Sequence, residues 1–396
     1  MRKIHSIISG IQSRDRSYKH LTLIVLLPLL FSINLGVLGG DMQKLYIGSY
    51  SPADQNGINC YEFNPDTGKM SFLSGTSGIE NPSFLAIHSS GSFLYAVSET
   101  DGQEGNNSGG VASFRVVSSR GDLEKINQVS SGGAAPCHIS LDRSERVLMA
   151  ANYNGGNISV FPLEEDGSLG EMSSFHQHSG SGSELRNQRE PHAHSINPDP
   201  SNRFAMVADL GLDRLFVYRL NPESGELVPH NPAFVKVEQK SGPRHLAFHS
   251  NGSLAYLINE IASTITVFEY DFEQGSLEEI QTVSTLPEDF KGRNATAEVV
   301  AHPSGRYLYG SNRGHDSIAV FEIDGKSGRL EPVQYRSTGG RSPRNFCLSP
   351  DGKFLLAANQ RSDNLLVFPL EESSGKLLDP VEEIKLKSPV CIRFVK

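Results

Sequence analysis

Imidazole, guanidinium and carboxylate side chains recur beside one another at nearly regular intervals along this chain. The pairs are Cys137 with His138, His192 with His194, Arg244 with His245, Ala297 with Glu298, and Arg344 with Asn345. Each pair stands just after a proline, or after Thr296, at the start of an apolar run. A second set closes the next apolar run: Glu99, Asn152, Asp209, Glu260, Asn312 with Arg313, and Asn359 with Gln360. An imidazole can take and return a proton near neutral pH. Guanidinium forks bind carboxylate, phosphate or a developing oxyanion. Such side chains converging on a concave surface define a binding or active site. Cations gathered without partners near one axis are costly, and an anionic ligand is the simplest compensation. Asn152, Asn312 and Asn359 are read differently, as caps of strand-end turns.

Other chemistries find less support. His192-x-His194 places two imidazoles on one strand face and could hold a metal with Glu190 or Asp209. No third ligand at a recognised spacing accompanies it, so neither metal nor cofactor is expected. There is no G-x-S-x-G elbow, P-loop or G-x-G-x-x-G. Cys60, Cys137, Cys347 and Cys391 lie in or next to apolar runs and form no C-x-x-C pair, which reads as buried thiols rather than nucleophiles. Lys plus Arg is 36 against 45 Asp plus Glu, a net charge of −9 that argues against a nucleic-acid partner.

The elements that must position these residues come from an internal repeat. PSFLAIHSSGSFLYAVSE (82–99), PCHISLDRSERVLMAANY (136–153), PRHLAFHSNGSLAYLINE (243–260), TAEVVAHPSGRYLYGSNR (296–313) and PRNFCLSPDGKFLLAANQ (343–360) share one register. PHAHSINPDPSNRFAMVADL, from Pro191, joins them if two residues are inserted near His192–His194. Starts at 82, 136, 191, 243, 296, 343 and 389 are 54, 55, 52, 53, 47 and 46 residues apart. Such intervals suit one supersecondary unit each. Within a unit, two alternating apolar runs flank a turn such as SSG, SNG or PDG, which is a hairpin signature. A third run ends in V-x-F or a variant, and a second Gly-containing turn opens a fourth. Four antiparallel strands per unit describe a propeller blade. The zero count of Trp excludes the WD type. SPVCIRFVK (388–396) is a first strand with nothing after it, and KLYIGSYSP (44–52) a second strand with nothing before it. The expected fold is therefore all-β: a seven-bladed β-propeller over residues 41–396, closed by N- and C-terminal strands that share one blade.

Residues 1–40 stand apart. Arg2, Lys3, Arg14, Arg16 and Lys19 precede Leu21–Gly40, which carries no charge. This reads as a secretory signal, with small residues at 37–40 for cleavage and export to the periplasm or medium. A retained membrane anchor, or a cytoplasmic protein starting near Met42, are the alternatives. Without the segment the charge is 31 − 44 = −13.

GGAAPCHIS, REPHAHS, VADLGLDR, GPRHLAFH, TAEVVAHPSGRYLYGSNRGHDSIAVF and SPRNFCLSPDGKFLLAANQ closely resemble the seven-bladed lactonase family. That family includes propeller-type bacterial 6-phosphogluconolactonase and fungal carboxy-cis,cis-muconate cyclase. The resemblance covers residues 44–396. It implies hydrolysis of a sugar δ-lactone at one mouth of the channel, on a small-molecule substrate. No cofactor, nucleic acid or obligate protein partner is implied, and the state expected is a monomer or weak homo-oligomer. By similarity His138, Arg189, Asp209 and Arg244 are the catalytic set. On chemical grounds His138 is the expected base, oriented by Asp209 or Glu298, with Arg244 stabilising the oxyanion. Arg189, Arg313 and Arg344 are candidates to clamp a phosphate or carboxylate. His192, His194, His245, Glu298, Arg313, His315, Arg344 and Asn345 complete the expected substrate site. A muconate-type cyclase and a non-catalytic exported binding module are the other readings, since propellers host all three.

Overall fold

The computed structural model describes residues 40–102, 108–183 and 186–395; the segment read as a signal lies outside them except for Gly40. Twenty-eight strands form seven four-stranded sheets, and every sheet is antiparallel throughout. The strands nearest the channel are Leu85–Ile87, Pro136–Leu141, Ala193–Pro198, Pro243–Phe248, Ala295–Ala301, Pro343–Leu348 and Pro389–Phe394, in blades 1 to 7. Among the described residues the only helical segment is a 3-10 turn at Arg186–Gln188, and no helix is long and apolar enough to cross a membrane.

Blade 7 is built from both termini. Gln43–Ser49 pairs on one side with Pro389–Phe394 and on the other with Ile58–Phe63. The ring is thereby closed with main-chain hydrogen bonds, and each terminal strand finds its hairpin partner in the other. Alternation along the strands then fills the space between blades. The aromatic residues of the V-x-F runs, Phe114, Phe161, Tyr218, Phe268, Phe321 and Phe368, are all buried. Phe63 stands edge-on to Phe354 of blade 6 and to Phe394 of its own blade, with ring centres 5.6 and 5.3 Å away.

Two details of register position the site. First, blade 3 carries the two extra residues expected near His192–His194, and they precede the paired strand, so that Pro191 does not open it. Ala193, not Pro191, opposes the strand-end Asp209, and Ser195 opposes Ala208. Ala193 therefore takes the place of Pro136 and Pro243, which oppose Asn152 and Asn259. Second, the first strands are bulged at their mouth ends. The register shifts between Pro136 and His138, Ala193 and Ser195, Pro243 and His245, Thr296 and Val299, and Pro343 and Asn345. A bulge inserts one unpaired residue and re-aims its side chain. Cys137, His194, Arg244 and Arg344 are the inserted residues of blades 2, 3, 4 and 6; in blade 5 Ala297 and Glu298 lie between the shifted pairs, and in blade 7 Val390 does.

Truncating Phe63 to alanine removes the ring that ties blade 7 to blade 6. An expected loss of about 3–5 kcal/mol in unfolding free energy can be read from urea denaturation followed by tyrosine fluorescence.

Candidate functional site

Three tiers of side chains face the axis at one mouth. The inserted residues of the bulges form one tier: Cys137, His194, Arg244 and Arg344. A floor lies beneath: His138, His245 and Asn345, which follow the inserted residues of blades 2, 4 and 6, with Phe84 of blade 1 and Glu298 of blade 5; the equivalent residue of blade 3 is Ser195. Residues at or just beyond the ends of the second strands form the rim: Tyr50, Glu99, Tyr153, Glu260 and Arg313. Strand-end Asn152, Asn259, Asn312 and Asn359 lie one position earlier and point back into the blades. Each is fully buried and donates to a neighbouring carbonyl, hydroxyl or side-chain amide, as capping residues do.

The polar members form one connected chain. The Glu260 carboxylate accepts from Arg244 Nε at 2.9 Å and from Arg313 Nη2 at 2.6 Å. Arg244 Nη1 donates to the Ala297 carbonyl at 2.6 Å and to His245 Nε2 at 3.3 Å. His245 in turn donates from Nδ1 to Glu298 at 2.8 Å, and the other Glu298 oxygen accepts from Asn345. His194 Nε2 lies 3.8 Å from Glu260. Burial opposes the charge on Glu260, but Arg313 and Arg244 overcome it and hold the carboxyl below its usual range. Burial lowers Arg244 to about 10, and Arg313 and Arg344 add to the effect. Burial also lowers His245, to about 4, although Glu298 works the other way. His194 falls well below the ordinary imidazole value, first through burial and then through Arg244. At neutral pH the site therefore holds neutral imidazoles among ionised arginines and carboxylates.

Several expected placements differ. Asp209 does not orient His138: its carboxylate accepts from His178 Nδ1 at 2.6 Å and from the main-chain N–H groups of His192 and Leu212. Glu298 faces His245 rather than His138. The His138 ring lies against Phe84, with centres 4.2 Å apart, and its Nδ1 accepts from the Ile196 N–H at 3.4 Å. His138 lines a cavity of about 420 Å³ with His245, Glu298, Cys347 and Arg393. A second cavity of only about 10 Å³, lined by Glu99, Arg244, His245, Arg344 and Asn345, does not include it. His192, displaced by the register of blade 3, stacks on Tyr153 and engages the Tyr153 carbonyl through Nδ1 at 2.8 Å. His315 sits on an outer turn of blade 5, against Ser317 and Phe290, and does not join the axis. Arg189 is exposed on the loop after the 3-10 turn. Among the described residues no cluster of three or more His, Cys, Asp or Glu could hold a metal.

One expectation about charge is also revised. The cations at the axis are compensated mainly by carboxylates of the protein itself: Glu260 binds Arg244 and Arg313, and Glu99 and Glu260 favour the charge of Arg344 without bonding to it. Glu260, at the centre of the network, belongs in the site, and its signal was its place at the end of a second strand.

A seven-bladed propeller with a buried arginine–carboxylate–imidazole network at one mouth is a fold and site suited to small polar substrates. The chain matches the family model described as "Lactonase, 7-bladed beta-propeller" over residues 44–394, and it belongs to that family of lactone hydrolases. It is 34% identical to 6-phosphogluconolactonase of Bacillus subtilis over 354 residues, 88% of this chain and 97% of that one. A 6-phosphogluconolactonase of Formosa agariphila is 33% identical across 77% of this chain and 86% of its own length. The solved structure of the periplasmic gluconolactonase of Pseudomonas aeruginosa superposes with a TM-score of 0.84 at 33% identity, covering 90% of this chain and 99% of that one.

Replacing Glu260 by glutamine leaves Arg244 and Arg313 sharing no counter-charge, and a buried pair broken in this way costs about 3–5 kcal/mol. The pH dependence has a definite sign. The folded-state pKa of Glu260 is depressed, so its contribution is present above the unfolded value of about 4.3 and is lost as pH falls toward the folded value. Urea unfolding at pH 7 should separate wild type from Glu260→Gln, and the gap should narrow below about pH 4.

Proposed function

We propose that this lactone hydrolase opens a six-membered sugar lactone at the Arg244–Glu260–Arg313 mouth, with 6-phospho-D-glucono-1,5-lactone as the first substrate. The observation that carries the reading is the sharing of one carboxylate by two arginines beside a neutral imidazole. Glu260 fixes Arg244 Nε and Arg313 Nη2, while Arg244 Nη2 and Arg313 Nη1 make no hydrogen bond among the described residues. Those N–H groups are held ready for an oxygen that gains charge as the carbonyl is attacked.

His194 suits the role of base better than His138, because it stands in the same tier as Arg244. It accepts the proton of a water molecule whose oxygen bonds to the lactone carbonyl carbon. Arg244 and Arg313 stabilise the oxyanion, and Glu260 stabilises the imidazolium. On collapse the bond from carbonyl carbon to ring oxygen breaks, and His194 returns its proton to that oxygen. The product is the open-chain acid. The sugar-phosphate substrate is supported by the names of the Bacillus and Formosa relatives. Unphosphorylated glucono-1,5-lactone is the second substrate, favoured by the periplasmic Pseudomonas relative and by the basic and apolar stretch at residues 2–40. Export is part of that second reading.

Hydrolysis of both lactones, with and without EDTA and corrected for spontaneous opening, tests the proposal. Turnover should survive the chelator. His194→Ala should lower kcat about 10²–10⁴-fold, and Arg244→Ala about 10²–10³-fold. Because His194 is held below its ordinary value, the acid limb of the kcat profile should lie below about pH 6.5. No rate above background on either lactone, or a His194→Ala enzyme at wild-type rate, would sink it.

A further inference from the structure

The arginines of this channel are not equivalent. Arg244 and Arg313 are bound to Glu260 and to the carbonyls of Ala297 and Thr296. Arg393, on the far side of the floor, donates to the Ile392 carbonyl and lies over Phe84. Arg344 is half-buried in the same tier as Arg244, yet among the described residues its guanidinium makes no hydrogen bond and no ion pair. Its one contact of note is the face of Tyr50, with the guanidinium carbon 5.5 Å from the ring centre. Five N–H donors are thus unspent, on a group that is costly to bury without partners.

Two carboxylates, Glu99 and Glu260, favour its charge through space, yet neither bonds to it. Glu99 lines the same small cavity as Arg344. Both its oxygens accept from the Tyr50 hydroxyl, at 2.8 and 2.9 Å, and one also accepts from Ser83. Tyr50 therefore holds Glu99 with its hydroxyl and carries Arg344 on its face, so that the carboxylate's hydrogen bonds go to Tyr50 and not to the guanidinium. Arg344 and Arg244 line that one cavity together; it has room for no more than a water-sized group, so a ligand that meets both sits over its opening.

The geometry points to Arg344 as the specificity-determining residue, binding the phosphate of a phosphorylated sugar lactone while Arg244 and Arg313 act at the carbonyl. This rests on the lactonase reading above. A phosphate presents paired oxygens that match the guanidinium fork, and a lysine at this position would supply only a point charge. Tyr50 is a positioning residue. Without its hydroxyl, Glu99 is released toward Arg344 and competes with the phosphate.

The test compares wild type, Arg344→Gln, Arg344→Lys and Tyr50→Phe on 6-phosphoglucono-δ-lactone and glucono-δ-lactone. Calorimetric binding of 6-phosphogluconate and of gluconate is measured in parallel. Arg344→Gln should lower the preference for the phosphorylated lactone at least about tenfold, mainly through KM, and abolish the tighter binding of 6-phosphogluconate. Tyr50→Phe should move both readouts the same way by a smaller factor, and Arg344→Lys should fall between. Equal losses on the two lactones overturn the inference, as does 6-phosphogluconate binding that is unaffected by Arg344→Gln. A wild type that opens both lactones without preference also overturns it and leaves the lactonase reading standing. Binding of 6-phosphogluconate that depends on Arg344, in a protein that opens neither lactone, supports the phosphate site and removes the hydrolytic reading. If Arg344→Gln fails to fold, Arg344→Lys and Tyr50→Phe decide the question alone.

Discussion

Seven first strands converge on one axis, and the polar side chains they carry there can be satisfied only by one another or by a ligand. That constraint organises the rest of this molecule. Close to the axis these side chains are largely withdrawn from solvent, and an ionised group without a partner is costly. The solution is a chain of shared contacts from Asn345 through Glu298, His245 and Arg244 to Glu260 and Arg313. Each link fixes the next. Because His245 donates to Glu298 and accepts from Arg244, its tautomer is settled and it has no lone pair left to act as a base. His194 is held more loosely, with Nε2 3.8 Å from Glu260 and Nδ1 3.7 Å from the Cys137 thiol, and its tautomer is not settled in this way.

The bulges make this network attainable. In an unbroken strand, successive side chains point to opposite faces, so one residue per strand would face the axis at each level. The inserted residue adds a second tier, and in four blades that tier carries Cys137, His194, Arg244 or Arg344. Closure of blade 7 by strands from both termini keeps the tiers in register, since the spacing around a ring is set only once the ring is complete.

Much of this was legible in the chain. The seven-fold repeat, the shared closing blade and the ring of His, Arg and Glu follow from the spacing of Pro-initiated runs and from alternation within them. Asn152, Asn312 and Asn359 were legible as strand-end residues, but not their partners, since their amides reach the carbonyls of Ser131, Thr285 and Thr338 on the preceding connection. In blade 3 the two-residue insertion near His192–His194 was legible, but its exact place was not: Pro191 imitates the prolines that open other blades, Asp209 pairs with Ala193 instead, and of the two imidazoles only His194 falls at the bulge. His315 was drawn in by its neighbour Arg313, although a turn separates them.

The sequence by itself determined the all-β repeat, its closure and which blades bring charge to the axis, because these depend on periodicities that are local and additive. Only the tertiary structure decided who pairs with whom. Asp209 could have served His138, and Glu99 could have served Arg344. Instead Asp209 is taken by His178 and two main-chain amides, and Glu99 by Tyr50 and Ser83. Those choices turn on competition between groups far apart in the chain, at distances of a few ångströms that only the closed ring sets.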